Sequence, residues 1–195
     1  MPRLSVLLEE LRGDYRRHGA TLKNPAVWAL AVYRFGAWSK DIPGPMGKLS
    51  SKLYGAMFLG VQLTTGMVLN REARIGKNLN IVHWGNTRIH PAAVIGDRCG
   101  IMHDVTIGTN MEREGVPVIG DDVFIGAGAK ILGPVRIGSR ARIAANSVVL
   151  QDVPEGATAV GVPARILRYT GRTDDEPSRP AQDPNAKGPS DESRG

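Results

Sequence analysis

Thirteen branched aliphatic residues recur in this sequence almost entirely at steps of six, and that spacing restricts the possible folds more than any other feature. They fall at Leu69, Ile75, Ile81, Ile89, Ile95, Ile101 and Ile107, then at Ile119, Ile125, Ile131, Ile137, Ile143 and Val149. The exceptions are one step of eight, from Ile81 to Ile89, and one of twelve, from Ile107 to Ile119. A helix repeats every 3.6 residues and a plain strand every two, so neither alone explains a period of six. Gly follows the aliphatic residue at 76, 96, 108, 120, 126 and 138, and Ala73, Ala93, Ala129 and Ala141 precede it by two.

This pattern predicts a mainly β fold, a left-handed parallel β-helix of hexapeptide repeats, over residues 67–170. Each hexapeptide supplies one short strand and a turn, and three complete a triangular coil. The aliphatics stack into a core too narrow for large rings, in keeping with an aromatic content of 5% and 24 glycines. The longer step holds HWGNTR, and residues 108–118, GTNMEREGVPV, are polar with Arg113 in the aliphatic's place. The latter predicts a loop extruded from the coil and able to reach a neighbouring subunit.

Residues 1–66 read as a short α-helical region that serves packing or oligomerisation. Leu4, Leu7, Leu8 and Leu11 recur at helical spacing, and Asn24-Pro25 is a cap followed by a first-turn proline. Residues 171–195 are rich in Pro, Ser, Asp and Gly and predict a disordered tail. That tail holds four Arg/Lys and six Asp/Glu, so the net charge of +6 leaves +8 on residues 1–170. A basic body without aromatic-interleaved basic runs points to a phosphorylated small ligand rather than to nucleic acid. A single cysteine, Cys99, excludes a disulfide framework and reads as core. No apolar run is long enough for a membrane span, and Glu9 and Glu10 break the first apolar stretch, so the expectation is a cytoplasmic protein.

Of the four histidines, His18 is expected at the surface, and His90 stands where other repeats carry Gly. His83 and His103 each follow an aliphatic by two residues, one coil apart. Strands in adjacent coils lie about 4.8 Å apart, so the two imidazoles are expected to share an acid–base site. Asp104 is the nearest further polar ligand, expected on the opposite side of the strand, and no metal site is expected.

Ala73 to Leu167 resembles the serine acetyltransferases and the related bacterial polysaccharide O-acetyltransferases. The resemblance is carried by HDVTIG at 103–108, VFIGAGAKILG at 123–133, NSVVLQDVP at 146–154 and GVPARIL at 161–167. It implies an acetyl-CoA-dependent O-acetyltransferase in which His83 takes the acceptor's proton and His103 assists. It also implies coenzyme A along the later coils, at Ala127, Ala145, Leu150, Gln151, Arg165 and Arg168. Arg113 and Asp104 are the candidate acceptor contacts. A homotrimer or a dimer of trimers follows from the same resemblance.

Several positions depart from the family pattern. Val82 and Val68 stand where serine acetyltransferases carry two Asp residues, and Gly115 and Val116 replace an Arg-His pair that binds the serine carboxylate. The motifs IGAGAKILG and NSVVLQDVP favour L-serine as acceptor, while the missing pair favours a sugar hydroxyl of polysaccharide biosynthesis. A non-catalytic or γ-carbonic-anhydrase-like metal-binding β-helix is the alternative from another class, and there GVPARIL has no role. The chain ends in Gly195 rather than isoleucine, so no docking to cysteine synthase through this terminus is expected.

Overall fold

Residues 4–110 and 112–167 are described by a computed structural model. Arg168 and the stretch 171–195 lie outside them. Three helices come first: α1 (Leu4–Arg17), α2 (Pro25–Ser39) and α3 (Gly44–Thr65). Asn24 caps α2 by accepting the Ala26 N–H at 3.0 Å, with Pro25 in the first turn, as its side-chain chemistry dictates. Gly66, in the left-handed region at φ 70°, ends α3 and turns the chain into the first strand. No described helix is long and apolar enough to cross a membrane.

Fifteen short strands follow. They are β1 (Val68–Leu69), β2 (Arg74–Ile75), β3 (Asn80–Ile81), β4 (Arg88–Ile89), β5 (Val94–Ile95), β6 (Gly100–Ile101), β7 (Thr106–Gly108) and β8 (Val118–Ile119). Then come β9 (Phe124–Ile125), β10 (Lys130–Leu132), β11 (Arg136–Ile137), β12 (Arg142–Ile143), β13 (Val148–Val149), β14 (Thr158–Val160) and β15 (Arg165–Leu167). They sort into three sheets, β1-β4-β7-β10-β13, β2-β5-β8-β11 and β3-β6-β9-β12-β14-β15. Up to β13 every third strand therefore stacks on its predecessor; β14 stacks on β12, with an isolated Ile137–Val153 bridge between, and the pairing is parallel until β15 reverses against β14. This is the left-handed β-helix that the hexapeptide period predicts. All thirteen periodic aliphatics are buried, while the residue before each faces outward.

The corners show two separate uses of small residues. A Cβ on Gly96 would lie 2.6 Å from the Gly120 backbone in the next coil, so that glycine exists because coils touch there. The left-handed backbone falls two residues later, on Asn78, Arg98, Asp104, Asp122 and their counterparts. Asn and Asp tolerate this region better than most side chains.

A stack of parallel strands leaves unpaired N–H and C=O groups on its first coil. Here α1 and α2 cover them. The Tyr33 hydroxyl accepts the Ile75 N–H at 3.0 Å and donates to the Ala73 carbonyl at 2.9 Å. Arg34 donates to the carbonyls of Ile75 (2.8 Å) and Gly76 (2.6 Å), and its Nε donates to the buried Asp14 carboxylate at 2.8 Å. His18 corrects the sequence-based expectation: it is buried, not at the surface. Its Nε2 accepts the Ile81 N–H at 3.0 Å while Nδ1 lies 2.7 Å from the Asp14 carbonyl. Spacing along α1 does not reveal this, because the partner is an edge strand 63 residues away.

His18→Ala leaves the Ile81 N–H buried without a partner and is expected to lower the unfolding free energy by about 1–3 kcal/mol. Urea denaturation measures it. A loss below about 0.5 kcal/mol, the range of neutral surface changes, would show that the edge needs no cap.

Candidate functional site

The third sheet fixes the site by register. Ile81, Ile101, Ile125, Ile143 and Ala159 stack in successive coils. Two residues further along, each chain segment rounds the corner towards the first sheet, which puts His83, His103, Ala127, Ala145 and Gly161 in one column. The two imidazoles meet edge to face with ring centroids 6.0 Å apart. Both are exposed, as the acid–base expectation requires. The corner below them is held by backbone bonds from Gly128 N to the His103 carbonyl (3.0 Å) and from Asn146 N to the Ala127 carbonyl (2.8 Å).

The eight-residue step becomes the loop 82–87, folded onto the coil that carries His103. Asp104 N donates to the Gly85 carbonyl at 2.9 Å. The buried Thr87 hydroxyl lies 3.3 Å from both the Gly85 and Met102 carbonyls. Gly85 has φ 133°, and a Cβ there would approach His103 Cβ at 4.0 Å. The loop is pinned at its base, leaving Val82, His83 and Trp84 exposed as a ridge.

Of the remaining candidates, Arg113, Leu150 and Gln151 gather elsewhere. Arg113 folds back onto its own chain, donating to the Leu150 carbonyl at 2.5 Å, and its N–H donates to Asn110 Oδ1 at 3.0 Å. Gln151 donates to the Ala164 carbonyl at 3.1 Å, and Arg165 is exposed on β15. Leu150 and Gln151 follow β13, whereas Ala145 precedes it, so the two groups occupy opposite corners of the first sheet. One chain does not bring them together. Asp104 is engaged by Lys130, whose ammonium donates to its carbonyl at 2.6 Å and lies 3.3 Å from its carboxylate. The sequence reading passed over Lys130, and only the coil-to-coil register between Thr106 and Lys130 exposes its role as a staple beside His103.

The match to the family model "Bacterial transferase hexapeptide (six repeats)" spans residues 117–151. Over 154 residues the chain is 38% identical to the serine acetyltransferase of Synechococcus elongatus, covering 75% of this chain and 59% of that protein. The soybean serine acetyltransferase apoenzyme superposes with a TM-score of 0.68 at 33% identity, over 84% of this chain and 68% of the other. The chain belongs to the serine acetyltransferase family. A serine acetyltransferase in complex with CoA also superposes, with a TM-score of 0.70 at 28% identity, covering 84% of this chain and 70% of that one. The chain spans about three fifths of the length of the Synechococcus relative.

Of the departures from this family's pattern, one has a structural reason. Gly115, at φ 120°, packs against Pro134, where a Cβ would come within 2.7 Å of the proline ring. A side chain there would force the loop away from the coil. Val68 faces outward at the start of the first sheet, in register with Arg88, and Val82 is 39% exposed beside His83.

Cys99 is fully buried, donates to the Gly120 carbonyl at 3.1 Å, and its thiol is pushed up to about 11, chiefly by burial. A thiol so far above neutral pH carries almost no thiolate. The native protein is therefore expected to resist a thiol-specific chromogenic reagent at pH 7.5 and to release one equivalent only in denaturant. Rapid labelling of the native protein would contradict its place in the core.

Proposed function

We propose that this chain transfers the acetyl group of acetyl-CoA to the hydroxyl of L-serine, giving O-acetyl-L-serine and free coenzyme A. The observation that carries this reading is the His83–His103 pair at the head of a corner column that continues into Ala127 and Ala145. Membership of the serine acetyltransferase family supports the same chemistry.

An alcohol is a weak nucleophile near neutral pH, and a positioned base raises its rate by about 10²–10⁴. His83 accepts the acceptor's hydroxyl proton as the oxygen forms a bond to the thioester carbonyl carbon. The tetrahedral intermediate then breaks its carbon–sulfur bond, and the imidazolium returns the proton to the departing thiolate. Backbone N–H groups at the corner are suited to the oxyanion. His103, one coil away, positions the acceptor or His83. Alanines at 127 and 145 let a pantetheine arm lie against backbone, with the cations Arg165 and Arg168 for its phosphates.

The separation of Ala127 and Ala145 from Leu150, Gln151 and Arg113 supports a site shared between copies. A cofactor held by the two alanines and by Leu150 and Gln151 needs the first corner of one chain and the second corner of its neighbour. We therefore place the active site in the clefts of a trimer.

A second reading, transfer to a sugar hydroxyl, is favoured by one observation: Trp84, 50% exposed beside His83, offers a ring on which a pyranose stacks.

Coenzyme A release measured against L-serine, homoserine and a set of sugars decides between them. His83→Ala is expected to cut turnover with L-serine at least about 10²-fold while acetyl-CoA affinity stays within a few-fold. His103→Ala is expected to be milder. Loss of activity in the His103 variant with His83→Ala active would reverse the two roles.

A further inference from the structure

Serine differs from a plain alcohol by its charged groups, and the resemblance locates the reader of its carboxylate in an Arg-His pair that this chain lacks. Gly115 and Val116 stand there, and the contact of Gly115 with Pro134 leaves no room for a substitute at that position. Arg113, the nearest cation in the loop, donates to the Leu150 carbonyl at the far corner of the first sheet. Within one chain Arg113 therefore does not stand at His83, and a cation fixed beside that base has to come from the coils that carry it.

Two sheet faces meet at the histidine corner. On the first sheet, the outward residues of the first three coils are Val68, Arg88 and Thr106 in register. On the third sheet they are Asn80, Gly100 and Phe124. Arg88 is the one cation among these six. Its side chain is exposed while Ile89 behind it is buried, so it projects from the face. Among the described residues no hydrogen bond or ion pair engages its guanidinium. Lys130, further up the same ladder, is held by Asp104. Val68, the neighbour across the register, is apolar and offers no competing carboxylate.

Arg88 also stands at a fixed place relative to the base. It follows directly on the loop 82–87 that presents His83, and that loop is pinned through Gly85 and Thr87. The guanidinium and the imidazole therefore flank one short, anchored turn.

We infer that Arg88 binds the carboxylate of the acceptor amino acid and so aims its hydroxyl at His83. A planar guanidinium matches a carboxylate with two parallel charge-assisted bonds, which fixes orientation as well as position. The inference rests on L-serine as acceptor and supplies that reading with a cation on the same chain as His83. Arg88 is a specificity residue: it touches the acceptor and leaves the proton transfer to His83.

The test compares L-serine with L-serinamide, which keeps the hydroxyl and loses the carboxylate, by initial rates of coenzyme A release. The wild type is expected to favour L-serine in kcat/KM by at least about 10-fold, and Arg88→Gln to bring the two within about twofold. In Arg88→Gln the KM for L-serine rises at least about 10-fold, while the KM for acetyl-CoA and the melting temperature hold. Arg88→Lys restores part of the preference, since an ammonium keeps the charge without the fork. A wild type that acetylates both compounds equally well overturns the inference without any variant. So does an Arg88→Gln enzyme with unchanged KM and selectivity. A wild type active on sugars and inert towards L-serine removes the serine reading itself, and Arg88 with it.

Discussion

The stacking of one aliphatic side chain on the next, coil above coil, is the constraint from which the rest of this molecule follows. Each strand is only two or three residues long, too short to be stable alone. It persists because its backbone bonds to the coils on either side and its single inward side chain joins a continuous core. A branched aliphatic fits that core, and burying one contributes roughly 1.5–3 kcal/mol. The period of six is thus a packing requirement: a slip of one residue would turn the aliphatic outwards at every later coil.

Such a stack has two consequences. Its ends are open, so the first coil needs partners, and Tyr33 and Arg34 from α2 and His18 from the turn after α1 provide them. Its sides are repetitive, so chemistry must enter where the repeat is broken. The loop 82–87 breaks it by adding residues at one corner and tying them to the neighbouring coil through Gly85 and Thr87. A rigid base carrying an exposed imidazole is what positioned proton transfer requires. The excursion after β7 breaks the repeat at the opposite corner and lies back on Leu150. The proposed trimer, with one chain's first corner against another's second, would use both interruptions in a single cleft.

The fold was legible because period six is a local signal, repeated thirteen times, with each position answering to the same packing rule. The His83–His103 pairing was legible for the same reason, since register alone sets it. What stayed hidden depends on contacts that no periodicity announces. His18 reads as an ordinary helix histidine until the edge N–H of Ile81 is seen above it. Glycine in the repeat suggests a tight turn, yet Gly96 serves the contact between coils, and most left-handed corners fall on Asn, Asp or Arg, with Gly at 128 and 156. Lys130 reads as one more surface cation until its bond to the Asp104 carbonyl ties two coils together. Arg88 lies in plain view within HWGNTR, but only the sheet register reveals it as the cation on the faces flanking the histidines.

On the proposed function a cofactor runs along the column from Ala145 to His83, and its reactive end meets the imidazole. A crystal structure of the protein with coenzyme A tests this most directly. The pantetheine arm is expected against Ala127 and Ala145 of one chain, with residues of a second chain closing the cleft and the thiol within hydrogen-bonding reach of His83. Coenzyme A bound on the second sheet, away from both histidines, would contradict it.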